Sequence, residues 1–292
     1  MTSDVGASYQ VARSPRKPLG LRIARAAQYG ILILFALYVL VPFMWVIFTA
    51  LKSNLEIAQD PLGIPPNWRF ENLAQAWNQG KFSRYFINSV IVTVPIVILV
   101  VSLSCLAGYG LARLKMPGRM LIFYFFLVGL MVPFTAIMIP LFYILRDIGV
   151  LGTYWAMILP QTAISLPFGI FFMRAFFSGL PYDLTDAAKI DGCNDFGVFR
   201  RVMLPLAGPA VAALVVFNFM GSWNAFLLPL IYLQSGKLRP VMTGMMYFTT
   251  RWGPDYSMSM AGTLIVMMPI MLVYLVFQRQ FIQGLTAGAV RG

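Results

Sequence analysis

Six apolar runs, at residues 29–51, 86–111, 120–145, 151–173, 207–233 and 258–278, contain no Asp, Glu, Lys or Arg. Each is long enough to cross about 30 Å of hydrocarbon as a helix, which takes roughly 20 residues. An unpaired charge inside such a helix is costly, so uncharged runs of this length read as membrane spans. The sequence therefore predicts an all-α membrane protein with six transmembrane helices. Composition agrees: 59% of the 292 residues are hydrophobic and 11% are charged, outside the usual range of soluble domains.

The formal net charge is +12, a value that in a soluble chain would suggest nucleic acid. Here the Lys and Arg residues are scattered between apolar blocks instead of forming a stripe, so no nucleic acid partner is expected. They act as topology signals. Six spans put both termini on one side, and positive residues in short loops favour the cytoplasm. Fourteen lie on the side of the termini: Arg13, Arg16, Lys17, Arg22, Arg25, Arg113, Lys115, Arg119, Arg174, Lys189, Arg200, Arg201, Arg279 and Arg291. Eight lie opposite: Lys52, Arg69, Lys81, Arg84, Arg146, Lys237, Arg239 and Arg251. The expected organisation is a cytoplasmic tail at 1–28, a six-helix transmembrane domain at 29–278, and a cytoplasmic tail at 279–292. Residues 1–28 are basic and lack a small-residue cleavage pattern after the apolar run, unlike a secretory signal.

Several chemistries are excluded. With no histidine and two cysteines, Cys105 and Cys193, the chain offers no Ser/His/Asp or Cys/His nucleophile, no His-ligated metal and no disulfide framework. The Gly-Lys pairs at Gly80 and Gly236 lack the other residues of a phosphate-binding loop, so any ATP is hydrolysed by another chain. Spans without carboxylates also argue against a self-contained proton-coupled carrier.

Outside the spans, the loop 52–85 contains Pro61, Pro65 and Pro66. A helix-like stretch follows at 71–77, with Trp68 and Trp77 suited to the membrane interface. It either contacts a partner outside or only anchors the bundle. Pro42, Pro95, Pro133, Pro140, Pro160, Pro167 and Pro269 fall inside spans, where neighbouring helices can satisfy the freed backbone groups.

The most informative stretch is 180–209, LPYDLTDAAKIDGCNDFGVFRRVMLPLAGP. It reads as two short helices. Pro181 suits a helix entrance, Asp183 is placed to cap it, and Asp186 to reach back in a shortened capping box. Ala187, Ala188 and Ile190 give the first helix a small apolar face. Gly192 supplies a left-handed turn, and Asn194 or Asp195 can cap the second helix, which is expected to end before Pro205. Phe196, Phe199 and Met203 are spaced to share one side of it. Such a stiff knob suits insertion into a partner's groove.

This stretch resembles the EAA loop of permease subunits in type I importers of the ATP-binding-cassette superfamily. Asp186, Ala187 and Ala188 take the EAA positions, Asp191 and Gly192 the DG, and Leu204 and Pro205 the LP. Asp186 stands where Glu is usual and Cys193 where Ala is common. The ending FQRQFIQGLTAGAVRG, with Arg291 in place of the usual Lys, resembles the C-terminal signature of the carbohydrate-uptake branch, which includes the maltose and glycerol 3-phosphate permeases. GSWNAFLLPLIYL at 221–233, FINS from Phe86 and YGLARL from Tyr109 extend the likeness over nearly the whole chain after residue 28.

The resemblance implies a MetI-like fold in the bacterial inner membrane, with 180–206 as a cytoplasmic coupling loop. Asp183, Asp186, Ala187, Ala188, Asp191, Gly192, Phe196 and Pro205 would meet an ATPase subunit, with the C-terminal tail close to that interface. It also implies a second permease subunit, two ATPase subunits that hold ATP and Mg, an extracytoplasmic solute-binding protein, and a sugar or sugar-like solute. No cofactor or metal is expected on this chain, which faces membrane lipid and is not itself an enzyme. The alternative is a stand-alone secondary carrier or channel. Polar residues inside spans, Gln161, Thr162 and Ser165, and Asn218, Ser222, Trp223 and Asn224, are candidates for the solute pathway; the competing reading gives them interhelical hydrogen bonds.

Overall fold

The computed structural model describes residues 19–250 and 253–289; Arg13, Arg16, Lys17, Arg251 and Arg291 lie outside them. Among the described residues, four helices are long and apolar enough to cross a membrane: Arg25–Ala50, Phe82–Arg113, Trp155–Ser178 and Tyr256–Gln280. Two bent pairs bring the number to six. In chain order the helices are α1 (Leu19–Ala50), α2 (Asn54–Gln59), α3 (Glu71–Gln79), α4 (Phe82–Arg113), α5 (Arg119–Met131), α6 (Phe134–Asp147) and α7 (Trp155–Ser178). There follow α8 (Asp183–Ile190), α9 (Asp195–Val198), a π-helical turn (Phe199–Met203), α10 (Leu204–Leu206), α11 (Gly208–Trp223), α12 (Leu227–Tyr232), α13 (Val241–Gly244) and α14 (Tyr256–Ala289). Thr249–Thr250 and Gly253–Pro254 form a short antiparallel ladder before α14.

Two predicted spans are not continuous. The run 120–145 breaks at Val132 and Pro133, where α5 and α6 meet at 100°. Pro133 has no N–H to give and forces the preceding residue out of the helical region, and Val132 is extended at φ −81°, ψ 110°. The run 207–233 divides into α11 and the short α12, and at its start α11 turns 76° from the segment Asp195–Leu206. The other span prolines, Pro42, Pro95, Pro140, Pro160, Pro167 and Pro269, sit inside unbroken helices. Helices also overrun the predicted ends: α1 begins at Leu19, inside the expected tail, and α14 continues past Gln278.

The centre of the bundle is the crossing of α4 with α7. It is built on small residues. A Cβ on Gly108 would stand 2.7 Å from the Met173 Cβ, and one on Gly169 would stand 2.1 Å from the Ser104 Oγ. Where lipid removes the hydrophobic drive between helices, close backbone approach of this kind supplies the dispersion contact that holds them. Around this crossing, α11 packs on α4 and α14, α5 on α7, and α1 and α3 on α14. Residues 29–41 of α1 and one face of α5 present exposed apolar side chains, as surfaces covered by lipid or another chain require.

The loop after α1 is tightly tied. Ser53 and Glu56 form a reciprocal capping box on α2; the S-x-x-E spacing is its sequence signature. Asn72 in α3 donates to the carbonyls of Ala50 and Lys52, each at 2.9 Å, and to Ser257 Oγ of α14. Lys52, only 1% exposed, donates its ammonium to the Asp60 carbonyl at 2.7 Å. Trp77 packs into the adjoining core, whereas Trp68 stays half-exposed. Across the same face, Asn88 donates to the carbonyls of Lys237 and Arg239 and accepts from Tyr154 Oη, and Ser89 Oγ accepts from the Val241 N–H.

Candidate functional site

The segment between α7 and α11 folds as two short helices around a glycine turn. Helix α8 starts after Tyr182, whose own dihedrals are helical and whose side chain caps nothing. The expected capping box of Asp183 and Asp186 does not form, because Asp183 is already the first helical residue. Both carboxylates instead lie exposed in the first turn, where a negative charge complements the helix dipole. Leu184 and Ala188 point inward and pack on the core around Tyr109, Met173, Phe177 and Phe199. Asp183, Asp186, Ala187 and Ile190, spaced i, i+3, i+4, i+7, form the outer face, with Ile190 87% exposed. The expected single apolar face of Ala187, Ala188 and Ile190 is thus divided between core and surface.

Gly192 has φ +82°. The Cys193 N–H donates to the Ala188 carbonyl and the Gly192 N–H to the Lys189 carbonyl, both at 3.0 Å. These two bonds make a Schellman motif, which needs a residue in the left-handed region at this position. Asn194, and not Asp195, caps α9 through its Oδ1 on the Gly197 N–H at 2.7 Å. Asp195 pairs with Lys189 at 2.9 Å across the turn, and that hydrogen bond raises the Lys189 pKa above its usual value. The second helix does not stop before Pro205 but runs to Leu206 through the π-helical turn, in which the Leu204 N–H reaches back to the Phe199 carbonyl. Pro205 removes the N–H that a regular α-helix would use here, and a shift in register accommodates that loss. Phe199 and Met203 are buried; Phe196 lies out on the surface, its ring 6.0 Å from Phe199.

Two residues of α4 fasten the segment, and the sequence reading assigned neither a role in it. Arg113, 9% exposed, donates Nε and Nη2 to the Phe177 carbonyl at 2.9 and 2.7 Å, and Nη2 also to the Leu180 carbonyl. Its guanidinium lies 4.4 Å from the Tyr182 ring. One side chain thereby satisfies carbonyls left open at the end of α7 and fixes the chain as it enters α8. Tyr109, one turn earlier, donates to the Asp195 carbonyl at 3.1 Å. The i, i+4 spacing of Tyr109 and Arg113 at the end of an uncharged span was the available signal: both are apolar-bodied side chains with a polar tip on one helix face. Tyr109 and Arg113 thus tie the segment to α4 and to the end of α7.

The candidate solute-pathway residues differ in burial and in partners. Ser222 is buried with its Oγ 3.1 Å from Thr93 Oγ1, and Trp223, 2% exposed, donates Nε1 to the Val266 carbonyl and stacks on Phe219. Asn218 bonds the Leu214 carbonyl of its own helix. The Ser222–Thr93 and Trp223–Val266 bonds join helices, whereas the Asn218 bond and the Trp223–Phe219 stack lie within α11. Thr162 is buried, Gln161 and Ser165 are half-buried, and Asn224 is exposed at the break before α12. Among the described residues, no group of three or more Cys, Asp or Glu is placed to hold a metal.

A sequence model of the family described as binding-protein-dependent transport system inner membrane component matches residues 101–286. The chain is 42% identical over 269 residues to the diacetylchitobiose uptake system permease protein NgcG of Streptomyces coelicolor, with 91% of this chain and 89% of that one covered. It is 36% identical over 255 residues to the arabinooligosaccharides transport system permease protein AraQ of Halalkalibacterium halodurans, covering 86% and 91%. Among solved structures, a chain of a bacterial ABC transporter involved in the import of the acidic polysaccharide alginate shares the fold. Its TM-score is 0.77 at 23% identity, covering 92% of this chain and 100% of that one.

Proposed function

The chain belongs to the family of binding-protein-dependent transport system inner membrane components, and from that membership we propose that it is one of two permease subunits of an importer for a sugar or sugar-like solute. Together with a second permease it lines half of the translocation pathway, and it docks through α8 on one of two ATPase subunits that hold ATP and Mg. An extracytoplasmic binding protein delivers the solute. The solute class is taken from relatives named for uptake of diacetylchitobiose and arabinooligosaccharides. Cytoplasmic termini are supported by the excess of positive residues on their side.

The observation that carries the reading is the division of α8. Its inner face is fastened to the bundle core by Leu184 and Ala188, while the outer face, Asp183, Asp186, Ala187 and Ile190, is left exposed by the described residues. A helix fixed on one side and open on the other is suited to transmit a partner's movement. A docked ATPase shifts the transport equilibrium only if it binds the inward-open and outward-open arrangements differently. ATP-driven closure of the ATPase pair supplies that difference. Because α8 joins α7 and, through α9 and α10, α11, its displacement changes the angle between these helices and so which side of the bundle opens.

The test is reconstitution of the full complex in proteoliposomes, with uptake of labelled oligosaccharide and ATP hydrolysis measured together. Binding protein loaded with solute is expected to stimulate both, and Asp186→Lys to abolish the stimulation while the chain still folds. Transport by the purified chain alone without ATP would favour a stand-alone carrier and refute the proposal.

A further inference from the structure

On the same face as α8, beside it rather than on it, is a cleft of about 480 Å³ lined by Arg113, Lys115, Met116, Pro117, Arg119 and Tyr182. Three of its six lining residues are cations, and among the described residues none of the three is in an ion pair. Arg113 spends Nε and Nη2 on carbonyls, which satisfy hydrogen bonds but carry no full negative charge, and its buried Nη1 has no hydrogen-bond partner. The cleft also sits at the start of α5, a helix of 13 residues that begins at Arg119 with no side-chain cap. The Arg119 N–H already donates to the Met116 carbonyl, and the positive end of the helix dipole adds to the charge of the three side chains. On the other flank of that turn, Arg174 places its guanidinium 3.9 Å from the Phe123 ring centroid and leaves Nε without a partner.

We propose that this cleft binds the phosphate of an anionic phospholipid. The apolar surface beside it argues for a lipid. From the cleft, α5 runs into the membrane with Leu121, Phe125 and Val128 at i, i+4, i+7, exposed by 76%, 76% and 60%. A phosphate seated at Lys115, Arg119 and the first turn of α5 has its acyl chains continue along that stripe. Basic pockets between transmembrane helices are suited to such headgroups. The site has a structural consequence, because Arg113 both borders the cleft and fastens the entry to α8. An occupying anion balances the guanidinium charge and steadies the same anchor.

The experiment uses the full-length chain with the subunits that co-purify with it, reconstituted in nanodiscs of phosphatidylcholine mixed with phosphatidylglycerol. Lipid retained through detergent extraction is identified by native mass spectrometry. The wild type is expected to retain phosphatidylglycerol over phosphatidylcholine, whether or not inorganic phosphate is present. Lys115→Gln combined with Arg119→Gln is expected to lower that preference about 30-fold, the combined effect of two cations at an anionic surface. Both side chains are exposed, so thermal unfolding is measured alongside and is expected to match the wild type. Four results overturn the proposal: equal retention of the two lipids by the wild type, an unchanged preference in the double variant, displacement of the lipid by inorganic phosphate, or zero-length cross-linking of Lys115 to a carboxylate of a co-purifying subunit.

Discussion

Replacement of Gly192 tests the coupling segment with the fewest confounding contacts. A Cβ at this position meets nothing within 4 Å, so a substituent creates no clash with the rest of the protein. The cost comes from the backbone alone, since φ is +82° and an L-residue in the left-handed region is disfavoured by about 1–2 kcal/mol. Gly192→Ala therefore shifts the balance between the turn and other conformations by about 5- to 30-fold. Asn, which tolerates this region, is expected to cost less than Ala, and β-branched Val to cost more. The assay is solute-stimulated ATP hydrolysis in the reconstituted complex, with thermal unfolding of the solubilised chain measured in parallel. Coupling is expected to fall in the order Gly, Asn, Ala, Val, while the unfolding temperature moves little because the turn is exposed. A Val variant that couples like the wild type, or an Asn variant as impaired as Val, would refute the argument that the left-handed turn holds α8 in its working orientation.

Other perturbations separate the remaining roles. Arg113→Gln leaves the Phe177 and Leu180 carbonyls without their charged donor, and a loss of about 3 kcal/mol is expected in unfolding measurements, with Arg113→Lys recovering part of it. Ala188→Leu overfills the core and is expected to destabilise by about 1–3 kcal/mol. Ala187→Leu, one residue away on the open face, is expected to leave unfolding unchanged while weakening association with the ATPase in pull-down assays. Glu56 has its pKa held below 4.5 chiefly by the Ser53 backbone hydrogen bond, then by the Ser53 hydroxyl. A depressed carboxylate contributes stability that is complete above its unfolded pKa and lost as pH falls through the folded one. Protection factors in α2, with the intrinsic pH dependence of amide exchange divided out, are therefore expected to fall as pH drops through the carboxylate range in the wild type and to lose that dependence in Glu56→Gln.

The six uncharged runs alone determined the membrane class, because no soluble fold hides so much apolar length without charge. The residue types from Asp186 to Gly192 likewise made a short helix and a glycine turn legible, since a positive-φ turn and helix periodicity are local properties that the residue types carry with them. Tertiary structure decided what periodicity cannot express. Ala187 and Ala188 are identical in type and adjacent in sequence, yet one is exposed and the other buried, because only the docking of α8 on α4 and α7 selects a face. Trp223 and Ser222 were legible as polar groups inside a span, but their partners, the Val266 carbonyl and Thr93, were supplied only by neighbouring helices. Arg113 counted in the sequence as one more positive charge in a loop; it became an anchor only where the ends of α4 and α7 met, since a hydrogen bond between residues far apart in the chain exists only once the fold has closed the distance.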